Sequence, residues 1–233
     1  MTLDTDVREI SFPVTGRAQG KKALEKSVAD KEKVSISPPN FKEAAIKIRG
    51  TAPLVMHNFS AKSQLIMEEV QAKGSQAKKD KKRAPKDFKD LYERARHRSK
   101  QGWDGIPASA LRNAMINACR MVGFAMTISK MSVFVVADGY EENGTPLVKI
   151  TKGKPREHRS TVRNASGVVD IRSRPMWDEW EAVVRVRWDG DQFSASDVAN
   201  LLARAGAQVG ILEGRPFSKD STGCGWGTFE VTP

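Results

Sequence analysis

The stretch GILEGRPFSKDSTGCGWGTFEV, from Gly210 to Val231, decides between two fold classes. Its five glycines suit a phosphate-cradling loop, which would imply a parallel α/β sheet, and equally a glycine-bent pair of strands, which would not. A phosphate loop requires Gly-x-x-x-x-Gly-Lys-Ser/Thr between a strand and a helix, and no Gly-Lys-Ser/Thr occurs here. A dinucleotide fingerprint must open a helix, whereas GCGWG runs into the strand-like TFEV. Two readings remain for the loop. It is a tight hairpin, or its glycines (Gly214, Gly223 and Gly225 among them) let a nucleic-acid backbone pass close by, with Arg215 and Lys219 supplying charge.

Upstream, the pattern alternates between strands and helices. EAAIKIRG (43–50) puts Ala44, Ile46 and Ile48 on one face, the period of a half-buried strand. IPASALRNAMINACRMVG (106–123) predicts one helix, with Pro107 in its first turn, an apolar stripe from Leu111 to Val122, and Gly123 as its stop. MSVFVVADG (131–139) and TPLVKIT (145–151) read as a β-hairpin around Asp-Gly and Asn-Gly turns. DEWEAVVRVRWDG (178–190) alternates from Trp180 to Trp188, and SASDVANLLARAG (194–206) is a second capped helix. AQVGI and GWGTFEV finish as strands. Without two insertions, a further helix near 60–72 included, the order is βαββαβ. The expected fold class is therefore α+β, an RRM/ferredoxin-like core with a basic β-hairpin and a helical insertion. Residues 1–42 form a polar N-terminal arm, and 43–233 the domain, interrupted at 57–103 and at 152–175.

The formal net charge of +11 is unevenly placed. Residues 71–100 carry twelve Lys/Arg against four acids, and 151–175 carry seven against two, so the rest of the chain is slightly acidic. Concentrated charge of this kind points to a polyanionic partner rather than to a generally basic surface. The second segment reads as an extended finger whose Lys152, Lys154, Arg156, Arg159, Arg163, Arg172 and Arg174 would contact phosphates. Five such arginine contacts would weaken single-strand binding about a hundredfold between roughly 50 and 200 mM salt. In the first segment Lys78, Lys79, Lys81, Lys82 and Arg83 form either a phosphate clamp or a solvated loop.

Other classes are excluded or weakened. No apolar run approaches a membrane span of about 18 residues, and MTLDTDVREI lacks the apolar segment of a secretion signal. Cys119 and Cys224 stand in unlike contexts, which argues against a disulfide or zinc framework and for a reducing, cytoplasmic setting. His57, His97 and His158 show no metal-ligand spacing, and no hydrolase motif occurs, so neither an enzyme nor a cofactor is expected. His158, inside the finger, is the only candidate base for an endoribonuclease. The five tryptophans, Trp103, Trp177, Trp180, Trp188 and Trp226, could include a base-stacking platform, though Trp180 and Trp188 fit their strand's core.

Three features together resemble the RAMP superfamily, the RRM-like proteins that form the crRNA-binding backbone of CRISPR effector complexes. Ile106, Pro107, Ser109, Leu111 and Arg112 match that family's Ile-Pro-x-Ser-x-Leu-Lys/Arg helix opening. The basic finger matches its thumb, and Gly210, Gly214, Gly223, Gly225 and Gly227 match its C-terminal glycine-rich loop. The resemblance covers about residues 43–233 as topology. It implies a palm-like core that binds single-stranded RNA or DNA without sequence preference, with Arg112 added to the contacts. It also implies head-to-tail homo-oligomers along the strand, with other effector subunits as further partners. A CRISPR system and a solitary relative carried by a phage or mobile element fit it equally well. A protein module docking an acidic partner is the alternative from another class.

Overall fold

The computed structural model describes residues 36–58, 67–68, 71–72, 85–163, 169–217 and 223–233. Contacts divide the chain between Pro38 and Pro39, and every described strand and helix belongs to Pro39–Pro233. The expected arm lies outside the described residues up to residue 35.

The centre of the molecule is an antiparallel sheet. Strand β1 (Phe41–Gly50) pairs on one side with β10 (Phe229–Thr232) and on the other with β9 (Glu181–Asp189). Its register sets Ile46 opposite Val184 and Ile48 opposite Ala182, so both alternating patterns deliver their apolar residues to one face. The far side of β9 is shared. Its C-terminal half pairs with β4 (Val133–Val136), and its N-terminal half with β6 (Pro146–Lys152), past a bulge. Beyond β6 the sheet curls into β3 (Gly105–Pro107) and β5 (Gly139–Tyr140).

Two helices supply the rest of the core. α2 (Ala108–Ala118) buries Leu111, Ala114 and Met115. α4 (Ala195–Arg204) buries Val198, Leu201 and Leu202, and is started by a capping box in which Ser194 accepts from the Asp197 amide while Asp197 accepts from the Ser194 amide. With Ala182, Val184, Val186 and Trp188 these form one continuous core, each large side chain contributing about 1.5–3 kcal/mol by its burial. Trp180 and Trp188 satisfy their indole N–H groups on the Ala52 and Phe193 carbonyls, both at 2.9 Å. The chain is α+β. Among the described residues no helix is long and apolar enough to cross a membrane.

A second, three-stranded sheet is built from β2 (Leu54–Val55), β8 (Val169–Trp177) and β7 (Arg156–Arg163). β7 and β8 form a long hairpin, from Arg156 opposite Met176 to Arg163 opposite Val169. The expected finger is present but begins later and ends later. Lys152 still belongs to β6, and β8 runs on to Trp177, with Ser173 to Trp177 buried. Helix α1 (Phe88–Arg94), capped by the Asp87 carboxylate, packs on β8 and is the well-formed helical piece of the expected insertion. Most of the helix expected near 60–72 falls outside the described residues.

Three expectations are corrected. The helix begins at Ala108, because Ile106 and Pro107 are claimed by β3 pairing with Val148 and Leu147. The strand expected over 131–139 is present but shorter, β4 (Val133–Val136), and pairs with β9 rather than β6, so the expected hairpin survives only as β5 with β6; its first two residues, Met131 and Ser132, instead end a helix, α3 (Met126–Ser132). Its buried positions carry Ser129 and Ser132, hydroxyls that disguise the helical stripe, with the Cys119 thiol donating to Ser129 Oγ at 3.3 Å. AQVGI is not a strand: Ala205–Val209 continues α4 as a wider helical turn.

Candidate nucleic-acid interface

The glycine-rich loop is a strut between two other elements. Its two arms are bonded together: the Ile211 amide donates to Gly227 (3.0 Å) and the Trp226 amide to Gly214 (3.2 Å). It is tied to β2 and its flank through Glu213 to Val55 and Gly227 to Pro53. A β-carbon at Gly227 would collide with the Ile211 carbonyl oxygen, and one at Gly214 would lie 2.5 Å from the Trp226 ring. Both have left-handed φ, so no other residue fits. Leu212, with φ 60°, is the single non-glycine in that region among the described residues, a strained turn held by the packing around it.

One flank of the strut meets the hairpin. Trp226 packs edge-on against His158, with ring centres 5.4 Å apart, and Arg174 reaches Glu213 at 3.4 Å. Arg174 is only 4% exposed, and burial lowers its pKa. Burial is also the first cause of the lowered pKa of His158 and of His57; Arg156 and Arg174 add to it at His158, and Arg174 at His57. Arg174 Nε, His57 Nδ1 and His158 Nε2 are buried without a hydrogen-bond partner among the described residues. His158 packs edge-on against Trp226 with its Nε2 buried, so that nitrogen does not face solvent.

Several other cations on and beside the hairpin are engaged by carboxylates. Arg156 holds Asp178 with two bonds (2.6 and 2.8 Å), Arg159 holds Glu157 (2.7 Å) and stacks on Phe88, and Lys152 holds Glu181 (3.2 Å). Arg172 Nη1 lies 3.5 Å from His57 Nε2, and Lys154 is exposed. Such exposed pairs are worth about 0–1 kcal/mol, so a phosphate can replace the carboxylate at little cost. The Arg163 side chain lies outside the described residues, as do Lys78, Lys79, Lys81, Lys82, Arg83 and Lys219.

The other flank is open. Pro107, Ser109, Asn113 and Asn117 of the α2 side face Gly210, Leu212 and Arg215 across a cleft of about 300 Å³. Among the described residues no carboxylate lines it. Ser109, Asn113 and Asn117 repeat every fourth residue and form a polar stripe beside the helix's apolar one. The stripe includes the N-terminal end of α2, where backbone N–H groups and the helix dipole favour an anion. Arg215 Nη1 donates to the Leu212 carbonyl at 2.7 Å, which fixes the guanidinium at the cleft's wall. Gly223 and Gly225 lie on the loop's return arm, with left-handed φ and, among the described residues, no neighbour within 4 Å of where a β-carbon would sit.

The structure therefore brings Gly214, Arg215 and Arg174 to one strut, with the helix-opening motif on one side and the finger on the other. Arg112 is not part of it. Its Nε donates to the Val133 carbonyl at 2.9 Å and its Nη2 to that of Lys130, closing the α3–β4 corner while stacking on Phe134. Asn113 and Asn117 were missed from sequence, although their fourfold spacing with Ser109 was there to be seen. Compared with known proteins, the chain matches no family model and no curated sequence.

Proposed function

We propose that this chain is a single-stranded nucleic-acid-binding subunit with an RRM-like core, of the kind found in the RAMP superfamily. The central strand order β10-β1-β9-β4, antiparallel throughout, supports that core. So does the placement of α2 in the connection from β1 to β4 and of α4 in that from β9 to β10. The observation that carries the reading is the position of the glycine-rich strut: three motifs far apart in sequence meet on it. The strand's backbone lies along the cleft between α2 and the loop and continues onto the hairpin, whose carboxylates yield to phosphates. Binding is ionic and tolerant of sequence.

Self-association along the strand, in a reducing cytoplasm, belongs to the same proposal. Exposed Met121, Val122 and Met131, close together in the chain beside the α2 end, are apolar groups of the kind found at protein contacts. The test is fluorescence anisotropy of a labelled single strand, titrated with salt. Affinity should fall steeply as salt rises. A flat response, or negligible binding at low salt, would overturn the proposal and favour a protein partner.

A further inference from the structure

Three of the five tryptophans, Trp177, Trp180 and Trp188, are core, and Trp226 is wedged between His158 and Gly214. Trp103 is different. It is half-buried and stands just before β3, the strand that leads into the α2 cleft. Its six-membered ring occupies space that two glycines leave on either side of β6. A β-carbon at Gly105 would come within 2.9 Å of the ring and one at Gly139 within 2.7 Å. Gly105 pairs with Lys149 and Gly139 with Leu147, residues two apart on β6 that share a face. The ring thus reaches both strands that flank β6 beside Leu147, a fully buried side chain. Its Nε1 donates to the Gln101 side chain at 2.8 Å, which fixes its rotation. Lys149 Nζ stands 6.0 Å from the ring centre, and exposed Lys100 and Tyr140 are joined beside it by a backbone hydrogen bond.

We infer that Trp103 is a stacking platform for a nucleobase of the bound single strand. The inference rests on the proposed nucleic-acid reading. A half-buried indole seated over two strand glycines, with an adjacent ammonium group, suits a base whose phosphate faces the lysines. The ring sits against Gly105 at the start of β3, and Pro107 at its end lines the cleft, the two residues about 7 Å apart at about 3.3 Å per residue. One strand can therefore place a phosphate in the cleft and a base on the indole.

The test uses the full chain and a labelled homopolymeric single strand. W103A should weaken binding roughly tenfold and leave the salt slope unchanged, because stacking releases no counterions. W103F should retain most of the affinity. The emission component lost between wild type and W103F should be quenched by the unlabelled strand, a readout that needs no destabilised variant. Wild-type binding with Trp103 emission unquenched, or with W103A binding as tightly as wild type, would overturn the platform alone. Absence of wild-type binding would overturn the nucleic-acid reading beneath it.

Discussion

The two flanks of the glycine-rich loop differ in what they leave to a ligand. On the hairpin side, arginine is abundant and paired with carboxylates: Arg174 is buried against Glu213, and Arg156 and Arg159 grip Asp178 and Glu157. On the α2 side the described residues include one arginine, three small polar side chains and no carboxylate. On the proposed reading, charge density along the sequence marks the region of a polyanion, while the absence of acids marks where it would seat first. The strongest way to break this comparison is to remove the strut that both flanks share. G227A should cost about 3 kcal/mol or more, from its left-handed φ and the contact with Ile211, and lower the melting temperature by roughly 10 °C. A melt unchanged from wild type would mean the loop does not hold the flanks together.

The hairpin flank can be tested by itself. R174M should destabilise by about 1–3 kcal/mol, since it strips Glu213 of its buried partner, although Glu213 is exposed enough to recover water. R156A should leave the melt unaltered and weaken strand binding instead. The reverse ranking would contradict the division between an anchoring and a ligand-facing arginine. On the open flank, R215A should lower affinity about tenfold and flatten the salt slope by about 0.7, one phosphate contact. N113A should have a smaller effect on affinity and none on slope.

The smallest expected effect is on pH dependence. His57 and His158 are held below the ordinary 6.5 in the folded state, chiefly by burial. Between the folded and unfolded values the unfolded chain binds more protons, so stability is complete above about pH 6.5 and falls as pH drops below it. Thermal melts across that range should show the decline, and it should shrink in H57Q and H158Q. A melting temperature that rises on acidification would contradict the burial of both rings.

Much of the sheet was legible because its residues alternate cleanly. Ile46 and Ile48 in β1, and Val184, Val186 and Trp188 in β9, announce their face regardless of context. α4 was legible for a similar reason, with its Ser194 cap and apolar stripe. Ile106 and Pro107 were misassigned because a proline suits a helix start locally, whereas pairing with β6 is a distant fact. Buried Ser129 and Ser132 look polar in sequence, and Ser129 finds its thiol donor, Cys119, ten residues upstream on a neighbouring turn. The finger's charge was legible but its neutralisation was not, since Asp178, Glu181 and Glu213 lie outside the basic segment. The cleft was half legible: its glycines and Arg215 stand out, while Asn113 and Asn117 acquire meaning only opposite them.

The most direct test of the shared strut is photo-crosslinking of a thiouridine-containing single strand, with the attached peptides mapped by mass spectrometry. Crosslinks should concentrate in residues 107–117 and 209–215, and extend to 156–163 on the hairpin. Crosslinks confined to other surfaces, with both flanks of the glycine-rich loop unmarked, would contradict the account.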